Sequence, residues 1–383
     1  MCGVVGVYGP SASNLQKGIL DAVGVIGHRG PDDQDVYVSK DGRCVLGHVR
    51  LAIVDLSSAA AQPMTKQDSV LAYNGEIYNH VSLRKDLMRN NCTFNGSSDT
   101  ETLLCGLRQQ GPDFLNLTKG MFAGAWYDEM SGNLILFRDS LGIKPLYLTS
   151  LPDSTIIFCS EIFGLLSVTD QIKRELDIQT FYCYLSFENY PQNKTLFRGM
   201  ESLRPGEVRS YCRGSKEYQT SYMNLSAASP VIPSDDGELV TQTRVLLDES
   251  VKNHLMSDVP VGVYLSGGLD SSIVSCLAAR HTKGLTAFTG YFEDTDPYYD
   301  ERPYSRDVAN FLGVQLNEVC IKPDDFKLHF DNLVMHLGQP RMGMGSFSQY
   351  MVAMLAGKQR KVFLAGHGGD ELFAGYPIFK AAW

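Results

Sequence analysis

Val263-Tyr264-Leu265-Ser266-Gly267-Gly268-Leu269-Asp270-Ser271-Ser272-Ile273-Val274 joins an apolar run to an apolar helical pattern through a Ser-Gly-Gly turn. Val261 to Leu265 reads as a strand, and Ile273, Val274, Leu277 and Ala278 recur at helical spacing, so the stretch is strand, tight turn and helix N-terminus. That geometry aims several backbone N–H groups and the positive end of a helix dipole at one spot, where a phosphate group is well placed to bind. Gly267 and Gly268 let a ligand approach the backbone, and Ser266, Ser271 and Ser272 add hydroxyl donors. A carboxylate beside such a nest is repulsive unless a cation lies between them, so Asp270 points to Mg²⁺. The plainer alternative is an N-capped helix after a turn. No Gly-Lys-Ser/Thr follows, so the pattern is not a Walker A loop.

At 383 residues the chain is long for one core, and two domains are the natural expectation. Hydrophobic content of 44% with 20% charged residues is ordinary for a globular protein, which speaks against disordered or fibrous classes. A formal net charge of −9 without any basic block argues against nucleic acid as a partner. No apolar run approaches a membrane span and no basic-then-apolar signal opens the chain, so no membrane partner and a cytoplasmic location are expected. The nine scattered cysteines form no CxxC pair, which fits reduced thiols better than disulfides or a zinc site.

The chain starts Met1-Cys2-Gly3-Val4-Val5-Gly6-Val7-Tyr8. Removing Met1 would leave Cys2 with both a thiol and a free α-amine of pKa about 7.7–8.0, able to take the thiol proton and create a nucleophile. The alternative is a cysteine that merely lies in the first strand. Further blocks follow in order: Gly27-His28-Arg29-Gly30-Pro31-Asp32, Gly47-His48-Val49-Arg50-Leu51-Ala52-Ile53-Val54-Asp55, Tyr73-Asn74-Gly75-Glu76-Ile77-Tyr78-Asn79 and Ser98-Asp99-Thr100-Glu101. Together with Cys2-Gly3 they resemble the class II, N-terminal nucleophile (Ntn), glutamine amidotransferases. Asn74-Gly75 after an apolar strand would equally suit a plain hairpin.

The resemblance implies roles. Glutamine hydrolysis through a thioester passes through an oxyanion, and in the family the Asn side chain and the following Gly backbone N–H receive it, here Asn74 and Gly75. Free glutamine needs a cation for its carboxylate and anions for its ammonium; by resemblance these are Arg50, Glu76 and Asp99. Phe137-Arg138-Asp139-Ser140-Leu141-Gly142-Ile143-Lys144-Pro145-Leu146-Tyr147 and Phe158-Cys159-Ser160-Glu161-Ile162 resemble the RDxxGxKPLYY and FASE blocks of the asparagine synthetase branch. There this region helps line an ammonia tunnel, although Arg138 and Asp139 would also serve as a buried ion pair.

Ser226 to Pro230 and Pro233 to Gly237 are small, polar and proline-containing, which reads as a linker. The expected division is 1–215, a linker 216–238, and 239–383. Beyond the linker, helical stripes alternate with short extended runs, which makes a parallel sheet with helices on both faces and ligands at the carboxyl ends of the strands.

The loop at Ser266 to Ser272 matches SGGxDSS, the pyrophosphate-binding signature of N-type ATP pyrophosphatases. Leu364-Ala365-Gly366-His367-Gly368-Gly369-Asp370-Glu371-Leu372-Phe373-Ala374-Gly375-Tyr376 resembles the SGEGSDELFGGY block of asparagine synthetases. The fold implied is α/β: an Ntn-hydrolase αββα sandwich, then a doubly wound parallel-sheet PP-loop ATP pyrophosphatase domain. By the same resemblance Ser266, Gly267, Gly268, Asp270, Ser271, Ser272, Gly290, Ala365 and Gly366 bind the nucleotide. Asp370 and Glu371 lie near substrate, Asp270 and Asp370 hold Mg²⁺, and His367 stands at the position tied to forming the acyl-adenylate.

Ala365 and His367 depart from the block, and Gly338-Gln339-Pro340 stands where many relatives have an acidic residue. A His holds a substrate amine less firmly than a carboxylate. By resemblance aspartate is the default acceptor, and these departures make another carboxylate the alternative. The reading is ATP-dependent amidation with glutamine as nitrogen donor, giving AMP and pyrophosphate; a homodimer is left open. The glucosamine-6-phosphate and phosphoribosylamine synthesising enzymes lack SGGxDSS, and the β-lactam synthetase branch generally loses the N-terminal cysteine. In the family the second domain runs on beyond this block to a further catalytic lysine that has no match here. The second half is thus expected to be incomplete at Trp383, with apolar surface exposed. The remaining reading is a fragment that only hydrolyses glutamine or binds nucleotide.

Overall fold

The structure, a computed structural model, describes residues 1–212, 215–221, 235–293, 296–340 and 345–381. Most of the expected linker, 222–234, lies outside the described residues. The chain divides into two compact units, Met1–Ser229 with Leu337–Arg341, and Pro230–His336 with Met342–Trp383.

Twelve strands are described in the first unit: β1 (Gly3–Tyr8), β2 (Asp33–Val38), β3 (Cys44–Arg50), β4 (Met64–Lys66), β5 (Ser69–Ile77), β6 (Gly120–Asp128), β7 (Asn133–Arg138), β8 (Tyr147–Ser150), β9 (Ile156–Cys159), β10 (Met200–Ser202), β11 (Glu207–Cys212) and β12 (Ser215–Ser221). They form two six-stranded sheets, β10-β8-β9-β1-β3-β2 and β12-β11-β7-β6-β5-β4. β12 carries sheet structure past the expected domain edge at 215, because its backbone pairs with β11 from Glu207↔Ser221 to Cys212↔Ser215.

Strand alternation builds the layers. Val4, Tyr8 and Leu46 of the first sheet meet Val70, Ala72, Ala125 and Leu136 of the second in one buried core. The intervening residues Val5, Val7, Val45 and Val49 face α1 (Gln16–Val25) and, further along the chain, a helix over Ile162–Ser167. Leu71, Tyr73, Phe122 and Ile135 face α2 (His80–Arg89) and α3 (Asp99–Gln110). A period-two pattern apolar on both faces produces this four-layer αββα sandwich. Helix Ile162–Ser167 is α4, and α5 (Ile178–Phe187) follows it.

The second unit opens with α6 (Asp236–His254) and alternates β13 (Val261–Tyr264), α7 (Leu269–His281), β14 (Thr286–Phe292), α8 (Arg302–Leu312), β15 (Gln315–Ile321), α9 (Pro323–Leu337), α10 (Gly345–Ala356), β16 (Val362–Leu364), α11 (Gly369–Phe373) and α12 (Pro377–Ala381). All strand pairs are parallel, in the order β15-β14-β13-β16. One face packs on α6, α7 and α8 through Val251, Leu277, Ala278 and Ala309; on the other, Phe288 packs on Val352 and Ala356 of α10. The strand order reverses between β13 and β16, and a crevice at the carboxyl ends of such neighbours is where doubly wound sheets bind ligands.

Candidate active site

In the first unit, Met1, Cys2, Arg50, Tyr73, Asn74, Gly75, Glu76, Asp99 and Lys144 line one pocket. Three strands and one helix deliver the expected residues: Cys2 precedes β1, Arg50 ends β3, and Asn74, Gly75 and Glu76 lie on β5. Asp99 opens α3, whose N-terminus Ser98 caps by accepting the Glu101 N–H at 3.2 Å. The thiol of Cys2 sits at Leu51, 3.4 Å from its N–H and 3.7 Å from its carbonyl oxygen. Burial pushes this thiol above its ordinary value, and burial lowers the Met1 amine to about 6. A thiol that is protonated at rest needs a base at the moment of attack, as the sequence reading requires of the α-amine exposed when Met1 is removed.

Asn74 is 1% exposed, and its Nδ2 has no hydrogen-bond partner among the described residues. A buried amide donor left without a partner costs about 1–3 kcal/mol, a cost that an oxyanion in the pocket would relieve. At Gly75 a Cβ would lie 2.5 Å from Phe122 Cα on the paired strand, so β5 approaches β6 here only without a side chain.

Two carboxylates share the pocket. Asp99 accepts the Tyr73 hydroxyl at 2.5 Å, the Ile77 N–H at 2.9 Å and the Thr100 N–H at 2.9 Å, and burial still holds its pKa above the usual value. Burial, and then the charge of Asp99, raise Glu76 to about 7. An ammonium ion between them would relieve both effects. Arg50 is not poised as an unengaged clamp: its guanidinium donates to the carbonyls of Ser57, at 3.0 Å, and Asp55. Five N–H donors leave it capacity for a carboxylate as well.

In the second unit the expected nucleotide residues gather at the switch point. Gly267, at φ +91°, fits only where a Cβ would lie 2.7 Å from the Ser305 N. Ser266 Oγ accepts the Gly268 N–H at 3.2 Å and lies 3.0 Å from Ser271 Oγ. The N-terminus of α7 has no side-chain cap, and Ser272 Oγ is buried with no partner among the described residues. Ala365 and Gly366 follow β16, and a Cβ at Gly366 would lie 2.6 Å from the Ser271 N; one at Gly369 would fall on the Asp270 carboxylate. A cradle of this closeness with an orphaned hydroxyl fits a phosphate chain.

The other expected residues of this unit have the following surroundings. Gly290 sits in β14 where a Cβ would meet Val352 of α10 at 2.8 Å, so its lack of a side chain makes room for that helix. His367 Nε2 lies 2.6 Å from the Gln349 side-chain nitrogen, and Glu371 accepts the Tyr376 hydroxyl at 2.8 Å. Asp370 lies on α11, where a Cβ at Gly375 would strike its carboxylate. Among the described residues no three His, Cys, Asp or Glu side chains gather as a metal site. A Mg²⁺ ion here would rest chiefly on nucleotide phosphates, as is usual for this ion.

The glutamine amidotransferase domain family matches residues 1–223 and the asparagine synthase family residues 242–383. A putative glutamine-hydrolysing asparagine synthetase 2 of Methanocaldococcus jannaschii is 31% identical, over 98% of this chain and 76% of that protein. The chain belongs to the glutamine-hydrolysing asparagine synthetase family. The glutamine-hydrolysing asparagine synthetase 1 of Bacillus subtilis is 32% identical over 99% of this chain and 60% of that protein, so the chain spans about three fifths of that relative's length. The amidase chyE of Penicillium rubens is 31% identical over 100% of this chain and 60% of that protein.

Within this family framework, Arg29, His28 and Glu161 carried no individual role in the sequence, and Arg138 and Asp139, offered there as a buried ion pair, make hydrogen bonds to backbone groups. Arg29 Nε donates to the Cys2 carbonyl at 2.9 Å and its NH1 pairs with Glu161 at 2.9 Å, while His28 lies 3.0 Å from the same carboxylate. Lys144 reaches the Met1 sulfur at 3.3 Å, and Asp139 accepts the backbone N–H groups of Phe122, Leu141, Ile143 and Lys144. Arg138 donates to the Lys144 and Gly142 carbonyls at 2.7 and 2.5 Å, so both residues shape the loop that delivers Lys144.

The cradle at Gly366 yields a first test. If this cradle binds ATP, ATP should raise the Tm of the wild-type chain and Gly366→Val should abolish that rise while leaving any glutamate release from glutamine within about twofold, measured by differential scanning fluorimetry and a coupled glutamate assay.

Proposed function

We propose that the chain hydrolyses glutamine at Cys2 and transfers the nitrogen to a carboxylate activated with ATP, aspartate being the first choice of acceptor. The observation that supports this best is the single pocket in which Cys2, the unpartnered Asn74 amide, Arg50 and the Glu76–Asp99 pair come together. The Cys2 thiol attacks the side-chain amide carbon while the α-amine takes its proton. Asn74 Nδ2 and the Gly75 N–H receive the oxyanion; its collapse breaks the C–N bond as the α-ammonium returns the proton to the leaving nitrogen, releasing ammonia, and water then hydrolyses the thioester to glutamate and the free thiol. Arg29 fixes the Cys2 backbone against the pocket floor.

In the second unit the Ser266–Ser272 loop and the Ala365–Gly369 turn hold the phosphates of ATP, and Asp270 and Asp370 would hold Mg²⁺ beside them. The ion would neutralise the phosphates during adenylation. The acceptor carboxylate attacks the α-phosphorus and displaces pyrophosphate; ammonia then attacks the acyl carbon and AMP leaves with its electron pair. His367 in place of an acidic residue weakens the hold on an amino-acid acceptor, and the amidase name of the Penicillium rubens relative gives a second reading in which another carboxylate is amidated.

The test is a reaction of the chain with amide-¹⁵N glutamine, ATP, Mg²⁺ and aspartate. Labelled asparagine with AMP supports the first reading. Labelled ammonia and glutamate without AMP, persisting when other carboxylates replace aspartate, would reject the synthetase half.

A pH dependence follows from Glu76. With its pKa raised to about 7, this carboxyl is protonated below that pH and fails to attract an ammonium, so the KM for glutamine should fall as pH rises from 6 to 8. Glu76→Gln should raise KM and flatten this slope. An unchanged slope in initial-rate glutamate release would remove Glu76 from ammonium recognition.

A further inference from the structure

Asp55 stands at the crossing of the two segments that carry opposite halves of the glutamine pocket, and no catalytic role falls to it. It is 7% exposed and adopts φ +53°, a left-handed conformation uncommon for residues other than glycine, Asn and Asp. Its Oδ1 accepts the Ser57 N–H at 3.1 Å and the Ser57 hydroxyl at 2.6 Å. Its Oδ2 accepts the Ser97 N–H at 2.6 Å, and its backbone carbonyl receives the Arg50 guanidinium. A Cβ at Gly96 would lie 2.5 Å from this Oδ2, so the segment carrying Ser97 closes on the carboxylate only without a side chain there.

The loop from Leu51 to Ser57 walls the pocket through Leu51, Ile53 and Val54, and Leu51 touches the Cys2 sulfur. The segment that ends in Ser97 leads into α3 at Asp99 and is anchored from its other side by Glu101, which accepts the Asn95 and Gly96 N–H groups at 2.9 and 3.0 Å and pairs with Lys66 at 2.7 Å. The Asp55 carboxylate is thus a direct bridge between the wall that holds Arg50 and the segment that presents Asp99.

We propose that Asp55 is a positioning residue: a charged latch that fixes the spacing between the carboxylate anchor Arg50 and the ammonium anchor Asp99, and so sets affinity for the amino-acid head of glutamine. The proposal rests on the reading of this pocket as a glutaminase site. Without the latch the two segments move independently, and the apparent affinity falls by the fraction of molecules with both anchors in register. Bound glutamine bridges the anchors itself, so turnover at saturation is largely kept.

Asp55→Asn isolates the charge, because Asn tolerates the left-handed conformation as well as Asp does. With Met1 removed, Asp55→Asn should raise KM for glutamine about tenfold and lower kcat less than about threefold, the loss expected for one hydrogen bond to a charged group. Alkylation of Cys2 by iodoacetamide, which uses neither anchor, should keep its rate, while inactivation by a γ-diazoketone analogue of glutamine slows about tenfold. Gly96→Ala, which displaces the carboxylate from the other side, should reproduce this split and guards against a folding defect in the first variant. Unchanged KM in both variants, or equal slowing of both reagents, overturns the latch. A wild-type chain that releases no glutamate and ignores the analogue overturns the glutaminase reading and the latch with it.

Discussion

Replacing Cys2 with Ala should abolish glutamate release from glutamine, a fall of at least about 10³-fold, because no other group in the pocket offers the carbon–sulfur bond on which the route depends. Folding should tolerate loss of the thiol, because the strand after Cys2 is held by the full β1–β3 register from Gly3↔Val49 to Tyr8↔Cys44. Cys2→Ala should therefore leave the Tm within a few degrees of wild type, which separates a lost nucleophile from a lost fold. The same variant tests the division of labour between the units. If the synthetase reading holds, ammonia supplied in solution should restore AMP release and product with Cys2→Ala, and Asp270→Asn should show the converse, intact glutamate release without AMP. Equal loss of both activities in either variant would mean that the two sites do not work separately.

Much of this arrangement was legible from the sequence because each motif is local while its partners are repetitive. Ser266 to Ser272 announces a turn at a helix N-terminus wherever it stands, and alternation of strand and helical stripes then dictates a parallel sheet with that turn at a strand's carboxyl end. The first unit was readable in the same way: Cys2, Arg50, Asn74 and Asp99 sit in separate blocks, and two sheets stacked through Val4, Leu46, Ala72 and Ala125 bring the blocks to one place. What stayed hidden depends on contacts between residues far apart in sequence. Arg29 and Glu161, 132 positions apart, meet behind Cys2, and neither neighbourhood names the other. Gly290 shows a different limit. A glycine in a strand signals close approach of something, and only the packing reveals that the approaching group is Val352.

Asn74→Ala should lower kcat for glutamine hydrolysis by about 10²–10³-fold with little change in KM, the signature of a donor that acts on the charge of the transition state and not on the bound substrate. The argument starts from an unsatisfied group. Asn74 lies on β5 opposite Ala123, buried at 1% exposure, yet its Nδ2 is without a partner among the described residues. A side chain kept only for packing would not carry an unpaired donor, since truncating it would remove that desolvation penalty. The variant should thus be as stable as wild type or slightly more stable, while losing most of its turnover. Stability and rate moving in opposite directions is the discriminating outcome, read by thermal melting beside initial rates. Asn74→Asp gives the complementary sign: a carboxylate in the same space repels a developing oxyanion, and it adds a third negative charge to the pocket of Glu76 and Asp99. Its turnover should fall below that of Asn74→Ala, and Glu76, already raised to about 7 by burial and Asp99, should be pushed higher still, so that glutamine binding weakens most at low pH. Turnover of Asn74→Ala within tenfold of wild type would remove Asn74 from oxyanion stabilisation and leave the Gly75 N–H as the candidate donor.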